Sequence, residues 1–308
     1  MNMYFTRFVY VFFFLITYKG FTAQNMIDVY ENRANTKDSL GDYKGAIADY
    51  SKVIELDSTF FMAWFNRGAA KSTLGDEKGA FVDYNKAISL KNNIAIFYYN
   101  RGISYINTRL LNLAVEDFNK AIELDPKLVK AYTNRGAAKL QLLDVSAIND
   151  FNKAIELNPN DPESYSNRGG FRSATGDYKG AFEDHNKSIA LNSNVAGFYN
   201  NRGLANDYIG NHKEAMPDFN KAIELEPKSD VRFYFNRAIC EYSQGQYAEA
   251  VKDFTSYISI NGSNAEAYFN RAKTYAMMDN VTSACEDWKK ALEMGLNKAS
   301  APFNKYCR

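Results

Sequence analysis

The chain has 308 residues, 46% of them hydrophobic, and its 37 basic and 36 acidic side chains leave a formal charge of +1. It has the apolar material for a substantial core and no charge excess to draw it to nucleic acid or an anionic membrane. Three cysteines without CxxC spacing, two histidines outside any ligand pattern, and no Gly-rich phosphate loop, HExxH or GxSxG motif point away from metal, disulfide-framework and enzyme classes, so no cofactor is expected.

The first element in chain order is an apolar run, Phe8 to Tyr18, preceded by Arg7. It is too short to span a bilayer comfortably and has the length of a signal-peptide core, so residues 1–23 are read as a signal peptide and the protein as exported, either periplasmic or secreted. Cleavage after Ala23 would place Phe21 where a small residue is preferred. The alternative is therefore an uncleaved N-terminal anchor.

From about residue 27 an Asn-Arg pair recurs: Asn32-Arg33, Asn66-Arg67, Asn100-Arg101, Asn134-Arg135, Asn167-Arg168, Asn201-Arg202, Asn236-Arg237 and Asn270-Arg271. The spacings are 34, 34, 34, 33, 34, 35 and 34 residues. A fixed period in this range marks an array whose units bury their apolar faces by stacking. The array is divided as 27–60, 61–94, 95–128, 129–161, 162–195, 196–230, 231–264 and 265–298, followed by a tail over 299–308.

Within a unit, apolar residues at helical spacing flank a turn such as Gly75-Asp76, where Gly takes the left-handed conformation and Asp caps the next helix. Each unit is therefore predicted to be a helical hairpin. Arg109, Leu143 and Asp279 stand where Gly41, Gly75, Gly176, Gly210 and Gly245 stand in the other units, which implies altered or strained turns. Pro126, Pro159 and Pro227 follow second helices and suit their termination, whereas Pro217 falls inside one and should kink or loosen it. Gly or Ala directly after each Arg, and Ala thirteen residues on (twelve in the fourth unit), let the paired helices approach. Tyr50, Tyr84, Phe118, Phe151, Phe219, Phe254 and Trp288 fill the space around that contact, with His185 in the fifth unit. Cys240 and Cys285 are expected to pack as small apolar residues, leaving Cys307 as the thiol that is free or paired.

Through lines such as Ala63-Trp64-Phe65-Asn66-Arg67-Gly68, Leu74-Gly75-Asp76 and Ala121-Ile122-Glu123-Leu124-Asp125-Pro126, the chain resembles the tetratricopeptide repeat family. The resemblance covers nearly everything after the N-terminal segment. It implies an all-α, right-handed solenoid of eight helix-turn-helix units, with the first helix of each unit lining a concave groove.

Sixteen residues after each Arg stands an Asp, equidistant from the turn: Arg33 with Asp49, Arg67 with Asp83, Arg101 with Asp117, Arg168 with Asp184, Arg202 with Asp218, Arg237 with Asp253 and Arg271 with Asp287. In the fourth unit the pair is Arg135 and Asp150, fifteen apart. These pairs are read as structural ion bridges across each hairpin. The eight Asn residues have no such dedicated partner. By similarity to the tetratricopeptide superhelix of O-linked N-acetylglucosamine transferases, they form a ladder that hydrogen-bonds an extended peptide, or they contact the adjacent unit's backbone. Phe65, Tyr99, Phe235 and Phe269, each just before an Asn, extend that candidate groove. The chaperone-type carboxylate clamp is disfavoured, because Glu31, Phe65 and Tyr99 occupy the places where it needs cations.

The expectation is a non-enzymatic scaffold that takes a protein or peptide partner. It has no nucleic-acid partner and no membrane insertion beyond an N-terminal anchor. The tail is short for a capping helix, so the C-terminal end is a place for self-association. The alternatives are an assembly component of an envelope complex, docking through its ends or outer face, and a recruiting subunit of a separate enzyme.

Overall fold

The computed structural model describes residues 23–227 and 230–307, so the apolar run read as a signal peptide lies outside the described residues. Among the described residues the chain forms seventeen α-helices and no strand. The hairpins are α1 (Ala23–Ser39) with α2 (Tyr43–Leu56), α3 (Phe61–Thr73) with α4 (Glu77–Leu90), α5 (Ala95–Asn107) with α6 (Leu111–Leu124), and α7 (Val129–Gln141) with α8 (Ala147–Leu157). They continue as α9 (Pro162–Ala174) with α10 (Tyr178–Leu191), α11 (Ala196–Tyr208) with α12 (His212–Leu225), α13 (Arg232–Ser243) with α14 (Tyr247–Ile260), and α15 (Ala265–Met277) with α16 (Val281–Glu293). A 3₁₀ turn, Asn297–Ala299, leads into α17 (Ser300–Tyr306). The hairpins gather into two compact units, divided in sequence between Asp150 and Phe151.

Local chemistry sets the turns. Asp42, Asp76 and Asp177 cap α2, α4 and α10, each accepting a 2.9 Å hydrogen bond from the backbone N–H of Gly45, Gly79 or Gly180. Gly75 precedes its cap at φ +83°. Arg109, Leu143 and Asp279 hold the same left-handed conformation, at φ 60°, 60° and 57°, so these three turns carry strain that glycine would not. The residue missing from the fourth unit is absorbed at this turn: α8 has 11 residues where α2, α4 and α6 each have 14. α12 runs uninterrupted for 14 residues through Pro217, at the cost of one backbone donor.

The core lies between the two helices of each hairpin. Ala46, Ala80, Ala114, Ala147, Ala181, Ala215, Ala250 and Ala284 are all completely buried, and the seven large aromatics beside them are 0–2% exposed. A Cβ on Gly102 would stand 2.7 Å from the Phe118 ring, and one on Gly203 would stand 2.9 Å from Phe219. The small residue after each Arg is thus the seat of the core aromatic. His185 takes that seat's ring in the fifth repeat with neither ring nitrogen hydrogen-bonded, and burial pushes its pKa down to about 4.

Two expectations for the C-terminal end are corrected. Cys285 does not pack as a free apolar residue; it forms a disulfide with Cys307, 22 residues on. The tail is not too short to cover its repeat. Gly295, at φ +87°, turns the chain back so that Tyr306 stacks on Trp288 at 5.8 Å, with Phe303 and Leu296 packed into the same cluster. Cys240 is the buried free thiol.

Candidate functional site

One residue apart on the first helix of each repeat, Arg and Asn enter different surroundings. Every Arg donates in parallel to the Asp of its own hairpin, with Nη2 to Oδ1 distances of 2.5–2.9 Å and Nε to Oδ2 distances of 2.6–3.1 Å. This is the bidentate fork that matches guanidinium to carboxylate. The Asp side chains are only 1–8% exposed, and from Arg67 to Arg271 the Arg side chains are 15–24% exposed.

Two further contacts of this seam are not visible in the Arg–Asp spacing. Three residues before every Arg stands an aromatic ring, from Tyr30 through Trp64 to Tyr268, lying 4.8–5.9 Å from the guanidinium carbon. The free Nη1 reaches back to the preceding repeat, where Ser51, Asn85, Asn119, Asn152, Asn186, Asn220 and Thr255 each accept it at 2.5–3.0 Å. Each acceptor lies two residues after that repeat's Asp. Arg33, in the first described repeat, is 52% exposed.

The position four residues after the Arg varies. Lys37, Lys71, Lys139 and Arg172 bring a second cation to the same Asp, at 2.7–3.0 Å, while Tyr105 and Tyr275 lie against Arg101 and Arg271. Asn206 is a buried amide at that place, and Glu241 is a buried carboxylate with Oε2 unpaired, pushed up to about 7 by burial and by nearby Asp253.

The eight asparagines share no single hydrogen-bond pattern. Asn100, Asn134 and Asn270 donate to the carbonyl four residues back in their own helix, at 2.9, 3.0 and 2.9 Å. Asn134 also donates to the Tyr99 hydroxyl at 3.1 Å, and Asn236 donates to the Asn200 side chain at 2.8 Å. Asn66 sits beside the Tyr50 hydroxyl, Asn201 accepts from Asn200, Asn32 is exposed and Asn167 is half-buried. The hydrogen bonds from Asn134 and Asn236 to the adjacent repeat go to side chains.

The aromatic neighbours divide as well. Phe65 is 8% exposed and stacks on Phe97 at 4.7 Å, so it belongs to the core and not to a binding surface. Tyr99 packs on Phe118, and Phe269 lies under the Lys298 ammonium. Phe235 leans on Tyr257 at the edge of a cleft of about 550 Å³, lined also by Gly197, Asn200, Asn201, Leu204, Asp230, Arg232, Phe233, Asn236 and Asn264. In the other compact unit a shallower depression of about 250 Å³ contains Asn100, Asn107 and Tyr84.

Sequence profiles of the tetratricopeptide repeat match residues 38–75, 63–94, 95–128, 151–183, 196–229 and 231–264. The chain belongs to the tetratricopeptide repeat family. No curated protein matches it in sequence. Among solved structures it is similar to a tetratricopeptide repeat protein from Parabacteroides merdae, at TM-score 0.66 and 19% identity over 81% of this chain and 99% of that one. It is also similar to pilF of Pseudomonas aeruginosa, at TM-score 0.60 and 17% identity over 68% and 97%. The APC/C hetero-tetramer Cut9-Hcn1 gives TM-score 0.69 at 17% identity over 91% of this chain, which spans 56% of the matched chain's length. At these identities the likeness is one of fold. No helix among the described residues is long and apolar enough to cross a membrane.

Proposed function

We propose that this tetratricopeptide repeat protein is an exported, non-enzymatic scaffold that holds an extended protein segment against the first helices of its repeats, with the 550 Å³ cleft of residues 197–264 as the main point of contact. The cleft carries the reading. Its wall combines the amides of Asn200, Asn201 and Asn236 with the rings of Phe235 and Tyr257, while Asn264 caps the helix that follows. Amides offer a donor and an acceptor to each peptide group, and the rings offer apolar contact at low entropy cost. Asp230 and Arg232 form an ion pair with each other at its edge, which leaves the amides and rings as the main contacts for a segment. A Cβ on Gly197 would meet nothing within 4 Å, so the cleft has room at that wall. Export is supported by the apolar run after Arg7 and by the Cys285–Cys307 disulfide, which persists in oxidising compartments.

Affinity capture from the exported fraction, read by mass spectrometry, tests both parts. Gly197→Leu should fill the cleft and deplete the partner captured by wild-type protein. Identical partners at identical yield from the two proteins would overturn the assignment of the cleft.

A further inference from the structure

Three side chains that the hairpin seam does not use converge where the sixth repeat meets the seventh. Asp207 lies near the end of α11, His212 opens α12 beyond the Gly210 turn, and Cys240 lies on α13. Their ligand-capable atoms all lie within 4.8 Å of one another. His212 Nδ1 is 2.6 Å from Asp207 Oδ1, and the Cys240 thiol is 3.4 Å from the His212 carbonyl oxygen. Cys240 is fully buried, whereas 34% of the His212 side chain reaches solvent. The cluster is therefore anchored inside and reachable from outside.

The repeat register shows what is unusual here. The same three positions four repeats earlier are Ser72, Glu77 and Ser104, which satisfy one another: Ser72 Oγ is 3.0 Å from Glu77 Oε2 and 3.2 Å from Ser104 Oγ. At the later junction two hydroxyls and a carboxylate are replaced by a carboxylate, an imidazole and a thiol. A closed hydrogen-bonded cluster has become a set of three metal-ligating groups.

We propose that Asp207, His212 and Cys240 bind a divalent transition metal ion, zinc(II) in the first place. One sulfur, one nitrogen and one oxygen donor suit zinc in tetrahedral coordination with the fourth position left to water, and they do not suit magnesium or calcium, which take oxygen ligands. Neighbouring donors around zinc stand about 3.5 Å apart. The 2.6 Å contact between His212 and Asp207 must open by about 1 Å, within reach of side-chain rotation. The thiol proton passes to water as the sulfur–metal bond forms, so no oxidant or reductant is required. With Cys285 and Cys307 joined to each other, Cys240 is the free thiol of the chain. The bound ion would staple the turn of the sixth hairpin to the first helix of the seventh.

Cobalt(II), titrated into the full chain with Cys240 kept reduced and the disulfide intact, is the direct probe. A thiolate-to-cobalt charge-transfer band should grow to one equivalent, collapse on addition of zinc, and be missing in Cys240→Ser. Zinc should also raise the melting temperature of the wild-type protein. Because burial of Cys240 makes its replacement a risk to folding, His212→Ala at the partly exposed helix start is the second variant. It should weaken cobalt binding more than about 100-fold while the metal-free protein melts close to wild type. No band at a large excess of cobalt, or a band of equal affinity in His212→Ala, would overturn the site.

Discussion

The arginine seam and the asparagine face are built from adjacent residues, yet they differ in kind. Along the seam one geometry recurs in all eight repeats, with two bonds to the hairpin's Asp and a ring beside the guanidinium; from the second repeat on, a third bond reaches the preceding repeat. Along the face the amides turn to their own helix, to a neighbouring side chain, or to neither. Uniformity follows from burial. A guanidinium–carboxylate pair shielded by packed rings has one low-energy arrangement, and a misplaced partner leaves a charge stranded. Variation on the face is tolerated because those amides are partly exposed, and it is there that one repeat can differ from the next in what it binds.

Breaking the seam should produce the largest effect. Asp83→Ala strands both Arg67 and Lys71 and should cost about 3–5 kcal/mol, read as a lower denaturation midpoint. Arg33→Ala, at a side chain that is 52% exposed, should cost clearly less. Equal losses at the two sites would show that burial does not set the seam's strength.

Next in size is the seat of the core aromatic. Gly102→Ala puts a methyl 2.7 Å from the Phe118 ring and should cost about 1–3 kcal/mol by the same assay. The His185 seat adds a pH dependence. Its pKa is depressed to about 4 from an ordinary 6.5, so the unfolded chain binds the proton more readily between those values. That contribution to stability is fully present above about pH 6.5 and is lost as the pH falls toward 4. His185→Phe should remove this slope, and wild-type and variant curves that stay parallel over the window would count against it.

The smallest effect expected is a gain. Arg109→Gly relieves a left-handed residue and should stabilise by about 1 kcal/mol, net of the entropy glycine brings to the unfolded chain. A loss there would mean that the Arg109 side chain contributes more than its backbone costs.

Much of this division is legible in the sequence because a hairpin is a local object. Arg and Asp sit equidistant from the turn, so their meeting needs only the period and the position of Gly75 or its equivalents. The caps at Asp42, Asp76 and Asp177 and the strained turns at Arg109, Leu143 and Asp279 are readable for the same reason. What lies between hairpins is not. The bond from Arg101 to Asn85, the Asn236–Asn200 pair and the burial of Phe65 against Phe97 depend on how one hairpin seats on the next. The disulfide depends on Gly295 reversing the chain, and the meeting of Asp207, His212 and Cys240 on two repeats in register. One signal was present: an aromatic three residues before every Arg and a polar residue two after nearly every Asp recur as regularly as the Asn-Arg pair itself.

The division between seam and face is tested most directly by the dissociation constant of a captured segment, measured for wild-type protein and for Asn201→Ala/Asn236→Ala, with melting temperatures recorded on the same samples. Losing two amide contacts should weaken binding about tenfold or more, with little change in melting temperature. An unchanged dissociation constant, or a loss that only tracks a falling melting temperature, would contradict it.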